Sequence, residues 1–157
     1  RSRSETVGRT GPASRARLTM PPIQLRREHV EAMIAHARET APEECCGLIG
    51  GTETHAASLY PLRNVTRNPE SAYEAAPEDL FTAQRQMRER GEGLLAIYHS
   101  HPRAADPSPS ETDVRLAYYP SAKYLIIGLG GIEAVIKAFS ISEREQRWQQ
   151  VEYEIAD

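Results

Sequence analysis

The stretch Tyr98–Asp113, YHSHPRAADPSPSETD, decides how the rest of the chain is interpreted. It begins where the apolar run Leu94–Tyr98, which has the length of a buried strand, comes to an end. His99 and His101 follow immediately, two positions apart. Side chains at i and i+2 of an extended segment project to the same side. The spacing therefore predicts that the end of a strand aims both imidazoles at one point.

A proline-rich loop and a short helix follow the histidines. The loop spans Pro102–Pro109, and Ser110 is a favourable N-cap for a helix predicted over Glu111–Tyr118. This helix carries Asp113, which the loop is long enough to fold back toward the imidazoles. Two nitrogen ligands and one carboxylate leave the fourth tetrahedral position of zinc open, as in catalytic rather than structural sites. Zinc can lower the pKa of a coordinated water from ~15.7 to about 7.

Composition and charge narrow the class of protein. The 157 residues are enough for one domain with a modest core, and no apolar run approaches the ~18 residues of a spanning helix, so we expect no membrane partner. Residues 1–19 carry five arginines and one glutamate, so the formal charge of −3 leaves −7 on the remainder. An acidic domain repels phosphate, which argues against nucleic acid as a partner.

The two cysteines indicate the compartment. Cys45 and Cys46 are adjacent and are not expected to form an ordinary disulfide, which favours a reducing cytoplasm.

Residues 1–19 lack apolar periodicity, which predicts a disordered tail. The apolar periodicity of the remaining sequence predicts one α+β domain over residues 20–157. Helices are expected over Arg27–Thr40 and Pro77–Arg90, with His29 and His36 facing solvent, and Gly50-Gly51 is expected to turn the chain. The sheet is expected to be mixed, with roughly six to eight strands and flanking helices. The predicted strands are Ile23–Leu25, Glu44–Ile49, Ala57–Leu62, Ser71–Ala75, Leu94–Tyr98, Tyr124–Leu129, Ala134–Ile141 and Trp148–Ile155.

The histidine pair alone is weak evidence, but its surroundings add to it. His-x-His-Pro, then a loop and Ser-x-x-Asp ending at Asp113, resembles the signature of the JAMM (MPN+) zinc metalloproteases. In that family a glutamate stands three residues before a glycine in an early strand, and Glu44-Cys45-Cys46-Gly47 matches this. Residues 23–140, with Asn64-Val65 and Asn68-Pro69, resemble the prokaryotic JAB branch. The resemblance implies an MPN/JAB fold, layered like cytidine deaminases, with a curved mixed sheet.

The resemblance also implies roles for individual residues. His99, His101 and Asp113 would hold one zinc ion, Glu44 would accept a proton from the attacking water, and Ser110 would donate a hydrogen bond to the oxyanion. Plainer roles also stay open for two of these residues: Glu44 could be an exposed glutamate at the end of a strand, and Ser110 could simply cap a helix. Eleven residues separate His101 from Asp113, one more than the family usually has, so Asp106 also stays open as the third ligand.

Family members hydrolyse peptide or isopeptide bonds at the C-termini of ubiquitin-like proteins. Relatives that cleave ubiquitin chains carry insertions that grip ubiquitin, and the short run from Asp113 to Tyr124 lacks room for one of them. The compact chain instead resembles bacterial members that process small sulfur-carrier proteins ending in Gly-Gly. We therefore expect hydrolysis after that Gly-Gly, releasing an amino acid or a short extension. The alternatives are a deubiquitinase-like isopeptidase and a non-catalytic MPN scaffold, and a homodimer would be unsurprising.

Overall fold

The computed structural model describes residues 21–156, so the tail predicted over residues 1–19 lies outside it. One eight-stranded sheet has the strand order β7-β6-β5-β4-β2-β3-β1-β8. Strands β4 and β5 run parallel, as does β1 beside β3 and β8, and the other pairs are antiparallel. The elements are β1 Ile23–Arg26, α1 Arg27–Thr40, β2 Cys46–Thr52, β3 His55–Leu62, α2 Pro77–Glu89, β4 Gly93–His101, α3 Glu111–Arg115, β5 Lys123–Gly128, β6 Val135–Ser142, β7 Arg147–Val151 and β8 Tyr153–Ala156.

The sheet is curled because its two edge strands follow each other in the chain. Strand β7 ends at Val151 and β8 begins at Tyr153, yet the two strands lie at opposite ends of the strand order. One linking residue spans only about 7 Å, so the edges must approach each other there. The Tyr153 hydroxyl also donates to the Ile136 carbonyl on β6 at 2.9 Å. The single strand predicted over Trp148–Ile155 is therefore wrong, whereas the α+β class and curved mixed sheet are confirmed.

Three other local predictions need correction. Gly50 and Gly51 lie inside β2, where the ladders to both neighbouring strands shift register, and the chain turns instead at Glu53, whose φ is 54°. Residues 71–75 form no strand and make only an isolated bridge between Asn64 and Ala75. Helix α3 ends at Arg115 instead of continuing to Tyr118.

The two faces of the sheet bury separate hydrophobic clusters. Helix α1 covers one face with Met33 and Ala37, and α2 covers the other with Ala83 and Met87. Both cysteines are free and buried, as expected. No helix within residues 21–156 is long and apolar enough to cross a membrane.

The two histidines of α1 do not simply face solvent, contrary to the prediction. His29 is buried, and its Nδ1 accepts a hydrogen bond from the Arg26 N–H at 3.4 Å. His36 Nδ1 lies 2.7 Å from the Tyr98 hydroxyl, so it ties the helix to β4. Burial lowers the pKa of His36, and the nearby Glu39 charge only partly opposes this.

The absence of a side chain at Gly47 leaves room for the ring of Tyr98. The two residues are cross-strand partners in β2 and β4, and a Cβ atom built on Gly47 would lie well inside the van der Waals distance of the Tyr98 ring. Tyr98 is completely buried, so its ring has no free space into which to retreat. The glycine of the Glu-Cys-Cys-Gly motif is therefore a packing requirement.

We predict that Gly47→Ala lowers the free energy of unfolding by roughly 1–3 kcal/mol through overpacking. Gly93→Ala is the matched control, because nothing lies within 4 Å of a Cβ placed at that position in β4. Urea unfolding of the three proteins checks this. Equal midpoints for the two variants would contradict the packing account.

Candidate metal centre

Strand β4 presents the histidine pair from the interior of the sheet. The strand lies between β2 and β5, and the cross-strand partners of His99 are Cys46 on β2 and Ile126 on β5. Side chains alternate along β4: Ile97 belongs to the cluster under α2, and Tyr98 to the cluster under α1. The imidazoles of His99 and His101 thus lie on the α2 side, His99 fully buried and His101 partly exposed. The prediction that both rings leave one side of a strand end is confirmed.

Helix α3 brings a carboxylate to these rings through its own cap. The Ser110 hydroxyl accepts a hydrogen bond from the Asp113 N–H, and the Ser110 N–H donates to Asp113 Oδ2, both at 3.0 Å. The same Oδ2 lies 3.1 Å from His99 Nε2 and 3.0 Å from His101 Nε2. The cap therefore fixes the side chain that meets the histidines.

The three polar atoms form a nearly equilateral triangle, since the two Nε2 atoms are themselves 3.2 Å apart. Tetrahedral zinc with bonds of about 2.0–2.1 Å separates its ligand atoms by about 3.3–3.4 Å. Small outward movements of the side chains would give that spacing. The donor set also suits the ion, because neutral imidazole and carboxylate are both common zinc ligands. Residues His99, His101 and Asp113 thus fit a zinc ion.

Glu44 lies beside this triangle. Its carboxylate and the ring nitrogens of His99 and His101 have ligand atoms within 4.8 Å of one another. The residue is only 4% exposed, and its Oε1 has no hydrogen-bond partner in the described part of the chain. Glu44 is therefore not the exposed strand-end glutamate that the sequence left open.

The irregular segment 64–75 holds the backbone of Glu44, which lies just before β2. The Glu44 N–H donates to the Pro69 carbonyl at 2.7 Å, and the Glu44 carbonyl accepts from Asn64 Nδ2 at 2.9 Å. The Asn64 amide also donates to the Ala72 carbonyl and accepts from the N–H groups of Thr66 and Glu74. The Asn64 side chain therefore fastens segment 64–75 to the residue that precedes β2.

The loop between His101 and α3 is packed against the end of β5. A side chain at Gly128 or Gly130 would collide with the backbone of Ala104 or Arg103, and Pro107 is fully buried. The additional residue relative to the family spacing is thus accommodated before the helix begins. Asp106 points elsewhere: its side chain is 81% exposed and pairs with Lys137. The structure therefore brings Asp113, and not Asp106, to the histidines.

Burial and neighbouring charges shift the pKa values of Asp113, His101 and Glu44. Burial alone would raise the pKa of Asp113, but the adjacent histidines and the Ser110 N–H outweigh it and hold that pKa far below its usual range. Burial would lower the pKa of His101, whereas its contact with Asp113 and the Glu44 charge raise it overall. Burial raises the pKa of Glu44, and the two histidines only partly oppose this.

The remaining residues singled out in the sequence have structural surroundings. The Ser100 hydroxyl accepts from the Cys45 N–H at 2.8 Å on the opposite face of β4. Cys46 is part of the buried core, and burial raises the pKa of its thiol to about 12. Sequence reasoning missed Tyr73, whose ring stacks on His99 with centroids 4.5 Å apart and planes 25° apart. No local motif marks this tyrosine, because the contact joins residues far apart in the chain.

Comparison with known proteins agrees with this geometry. Residues 26–148 match the family described as prokaryotic homologs of the JAB domain. Because this match spans most of the chain, the protein belongs to that family, and the resemblance drawn from the motifs is confirmed.

Three characterised or named relatives are similar over most of their length. A desampylase from Haloferax volcanii is 32% identical over 120 residues, covering 73% of this chain and 86% of the relative. A CysO-cysteine peptidase from Mycobacterium tuberculosis is 36% identical over 107 residues, covering 67% and 72%. A probable TtuB-protein conjugate cleaving protease from Thermus thermophilus is 36% identical over 107 residues, covering 68% and 70%.

Solved structures share the same fold. A protein from Desulfitobacterium hafniense is 36% identical and superposes with a TM-score of 0.75 over 86% of this chain and 93% of that one. A JAB1/MPN domain protein from Archaeoglobus fulgidus has a TM-score of 0.60 at 18% identity, over 87% and 99% of the two chains. The predicted MPN/JAB fold is confirmed.

We predict that Asp113→Ala lowers zinc affinity by more than the roughly 10–100-fold typical of residues that only support a ligand. Asp106→Ala should bind zinc like the wild type, because Asp106 contacts Lys137 and not the histidines. Competition with a chromophoric chelator measures both affinities. Loss of zinc from the Asp106 variant, with retention by the Asp113 variant, would reverse the ligand assignment.

Proposed function

We propose that this chain is a zinc-dependent peptidase that hydrolyses the bond after the C-terminal Gly-Gly of a small ubiquitin-like sulfur-carrier protein. The observation that carries the proposal is the convergence of His99, His101 and Asp113 beside the buried carboxylate of Glu44. The names of the relatives support the substrate class, since they refer to desampylation, to CysO-cysteine and to TtuB conjugates.

The metal would be held by His99, His101 and Asp113, one ion per chain. Bound there, zinc would supply a Lewis acid that polarises the scissile carbonyl and acidifies a water. The remaining chemistry depends on side chains that are already in place. The same ligands would also accept other divalent metals in vitro, because ligand type alone does not select zinc.

Glu44 is the proposed proton carrier. As a water oxygen attacks the carbonyl carbon, the Glu44 carboxylate accepts one of its protons. When the carbon–nitrogen bond breaks, Glu44 delivers that proton to the departing amine, so the products are a carrier carboxylate and a free amine. Burial and the unpaired Oε1 suit this shuttle, since no other side chain competes for that oxygen in the described part of the chain.

Ser110 is the proposed oxyanion donor. Its hydroxyl oxygen accepts the Asp113 N–H, which leaves its own proton available to donate, and the residue is exposed at the start of α3. Donors of this type contribute about 2.7–4 kcal/mol to catalysis where they have been tested. The cap and the oxyanion donor are thus compatible roles of one hydroxyl.

The compact surroundings of the centre favour a flexible tail as substrate. Only residues 116–122 separate α3 from β5, so no long insertion arises there to grip a folded partner. A terminal Gly-Gly offers an extended backbone without side chains, which a confined site can admit. The second candidate, an isopeptidase on ubiquitin-like conjugates, is favoured by the relatives named for conjugate cleavage and desampylation.

We expect wild-type protein loaded with zinc to shorten a sulfur carrier bearing a C-terminal cysteine or short extension to Gly-Gly. Glu44→Gln should keep its zinc and lose about 10²–10⁴-fold in rate, because it removes the base and no ligand. Zinc per chain and the mass of the carrier are the readouts. A carrier whose terminal glycines are replaced by bulky residues should resist cleavage.

The possible failures of this experiment point to different parts of the proposal. A wild-type protein that binds no zinc would refute the metal centre itself. Zinc binding without cleavage of carriers, together with cleavage of a lysine-linked conjugate, would replace the carrier by the isopeptidase substrate. Zinc binding with neither activity would support the scaffold that the sequence left as an alternative.

Asn64 should position the base, because its side chain holds the Glu44 carbonyl. We predict that Asn64→Ala lowers the turnover number of the zinc-saturated protein by about 10–100-fold, because a displacement of about 1 Å at a catalytic group has effects of this size. The control is Asn68→Ala, an exposed neighbour whose backbone carbonyl accepts from the N–H groups of Ser71 and Ala72. Equal turnover in the Asn64 variant and the wild type would show that Glu44 is held by other contacts.

A further inference from the structure

The ring of His99 lacks the support that metal-binding histidines usually have. Such a ring ordinarily donates its second N–H to a carboxylate, carbonyl or water, which fixes its orientation. His99 Nδ1 is buried and has no hydrogen-bond partner in the described part of the chain. Within the described part of the chain, the contacts that orient the ring are therefore those of Nε2 and of the ring faces.

Tyr73 covers one face of this ring. The near-parallel planes, 25° apart, and the centroid separation of 4.5 Å describe a stacked pair. A stacked neighbour opposes rotation about the terminal torsion of histidine, which is broad when nothing restricts it. Tyr73 also packs against the core cluster under α2, so it has little freedom to move away.

The backbone on both sides of Tyr73 is fixed by Asn64. Its amide donates to the Ala72 carbonyl at 3.0 Å, and its Oδ1 accepts from the Glu74 N–H at 3.0 Å. The Glu74 carbonyl in turn accepts from the Val65 N–H at 2.8 Å. The tyrosine is therefore presented to His99 from a segment that hydrogen bonds hold in place.

We propose that Tyr73 is a positioning residue that orients the His99 imidazole for metal binding by stacking, in place of a hydrogen bond to Nδ1. This inference rests on the proposed zinc centre. The aromatic ring, and not the hydroxyl, performs the role. Tyr73→Phe should therefore retain the function, whereas an aliphatic side chain of similar bulk should not.

The test measures zinc affinity of wild type, Tyr73→Phe and Tyr73→Leu by competition with a chromophoric chelator. We expect the phenylalanine variant to match the wild type and the leucine variant to lose about 10–100-fold, the range typical of residues that support a ligand. Phe139→Leu is the matched control, since Phe139 is a buried aromatic of the same core cluster and its ring contact is with Trp148. It should lower thermal stability and leave zinc affinity unchanged.

An NMR measurement keeps the test decisive even if the leucine variant does not fold. The ring protons of His99 should be shifted upfield by the stacked ring in zinc-loaded wild type and equally in Tyr73→Phe. Absence of that shift, equal zinc affinity in a folded leucine variant, or a phenylalanine variant as weak as the leucine one would each overturn the inference. Absence of zinc from the wild type would instead refute the proposed metal centre, independently of Tyr73.

Discussion

One carboxylate oxygen, Asp113 Oδ2, connects the parts of this molecule that matter for chemistry. It contacts both Nε2 atoms of the histidine pair and the N–H of Ser110. These contacts join the interior strand β4 to the short helix α3, which has only five residues and little stability of its own. If this oxygen lost its contacts, four titratable side chains would remain buried or half-buried together without compensating hydrogen bonds, at considerable electrostatic cost. They are Glu44, His99, His101 and Asp113. Such a local violation of ordinary core composition is typical of a functional site.

The sequence predicts the cluster of His99, His101 and Asp113 because these residues follow local rules. The i, i+2 spacing of the histidines requires only an extended backbone, and the Ser110 cap requires only the start of a helix. Both features depend on residues close to one another in the chain. The Ser-x-x-Asp pattern likewise selects Asp113 over Asp106, because the cap itself directs the Asp113 side chain toward the strand.

The parts that the sequence did not predict depend on distant contacts. The strand predicted over Trp148–Ile155 divides because its halves pair with opposite edges of a curled sheet, and alternating apolar residues carry no sign of that division. Gly50-Gly51 is typical of a turn, yet the pair lies in a bulged strand between two neighbours. His36 resembles a surface histidine until Tyr98, 62 positions later, provides its partner. Tertiary contacts override local propensity in each case.

The proposed metal ligands and the proposed base are held by different parts of the fold. His99 is held by pairing with both β2 and β5, His101 by pairing with Gly128 of β5, and Asp113 by a helix cap. Glu44 instead precedes its strand and depends on hydrogen bonds from the irregular segment 64–75, with Asn64 at their centre. The proposed base and the proposed ligands therefore depend mostly on different contacts. A change in that segment can alter the position of Glu44 while the triangle of His99, His101 and Asp113 keeps its dimensions. The exceptions are Tyr73, whose ring stacks on His99, and Asn64, which holds the backbone around Tyr73.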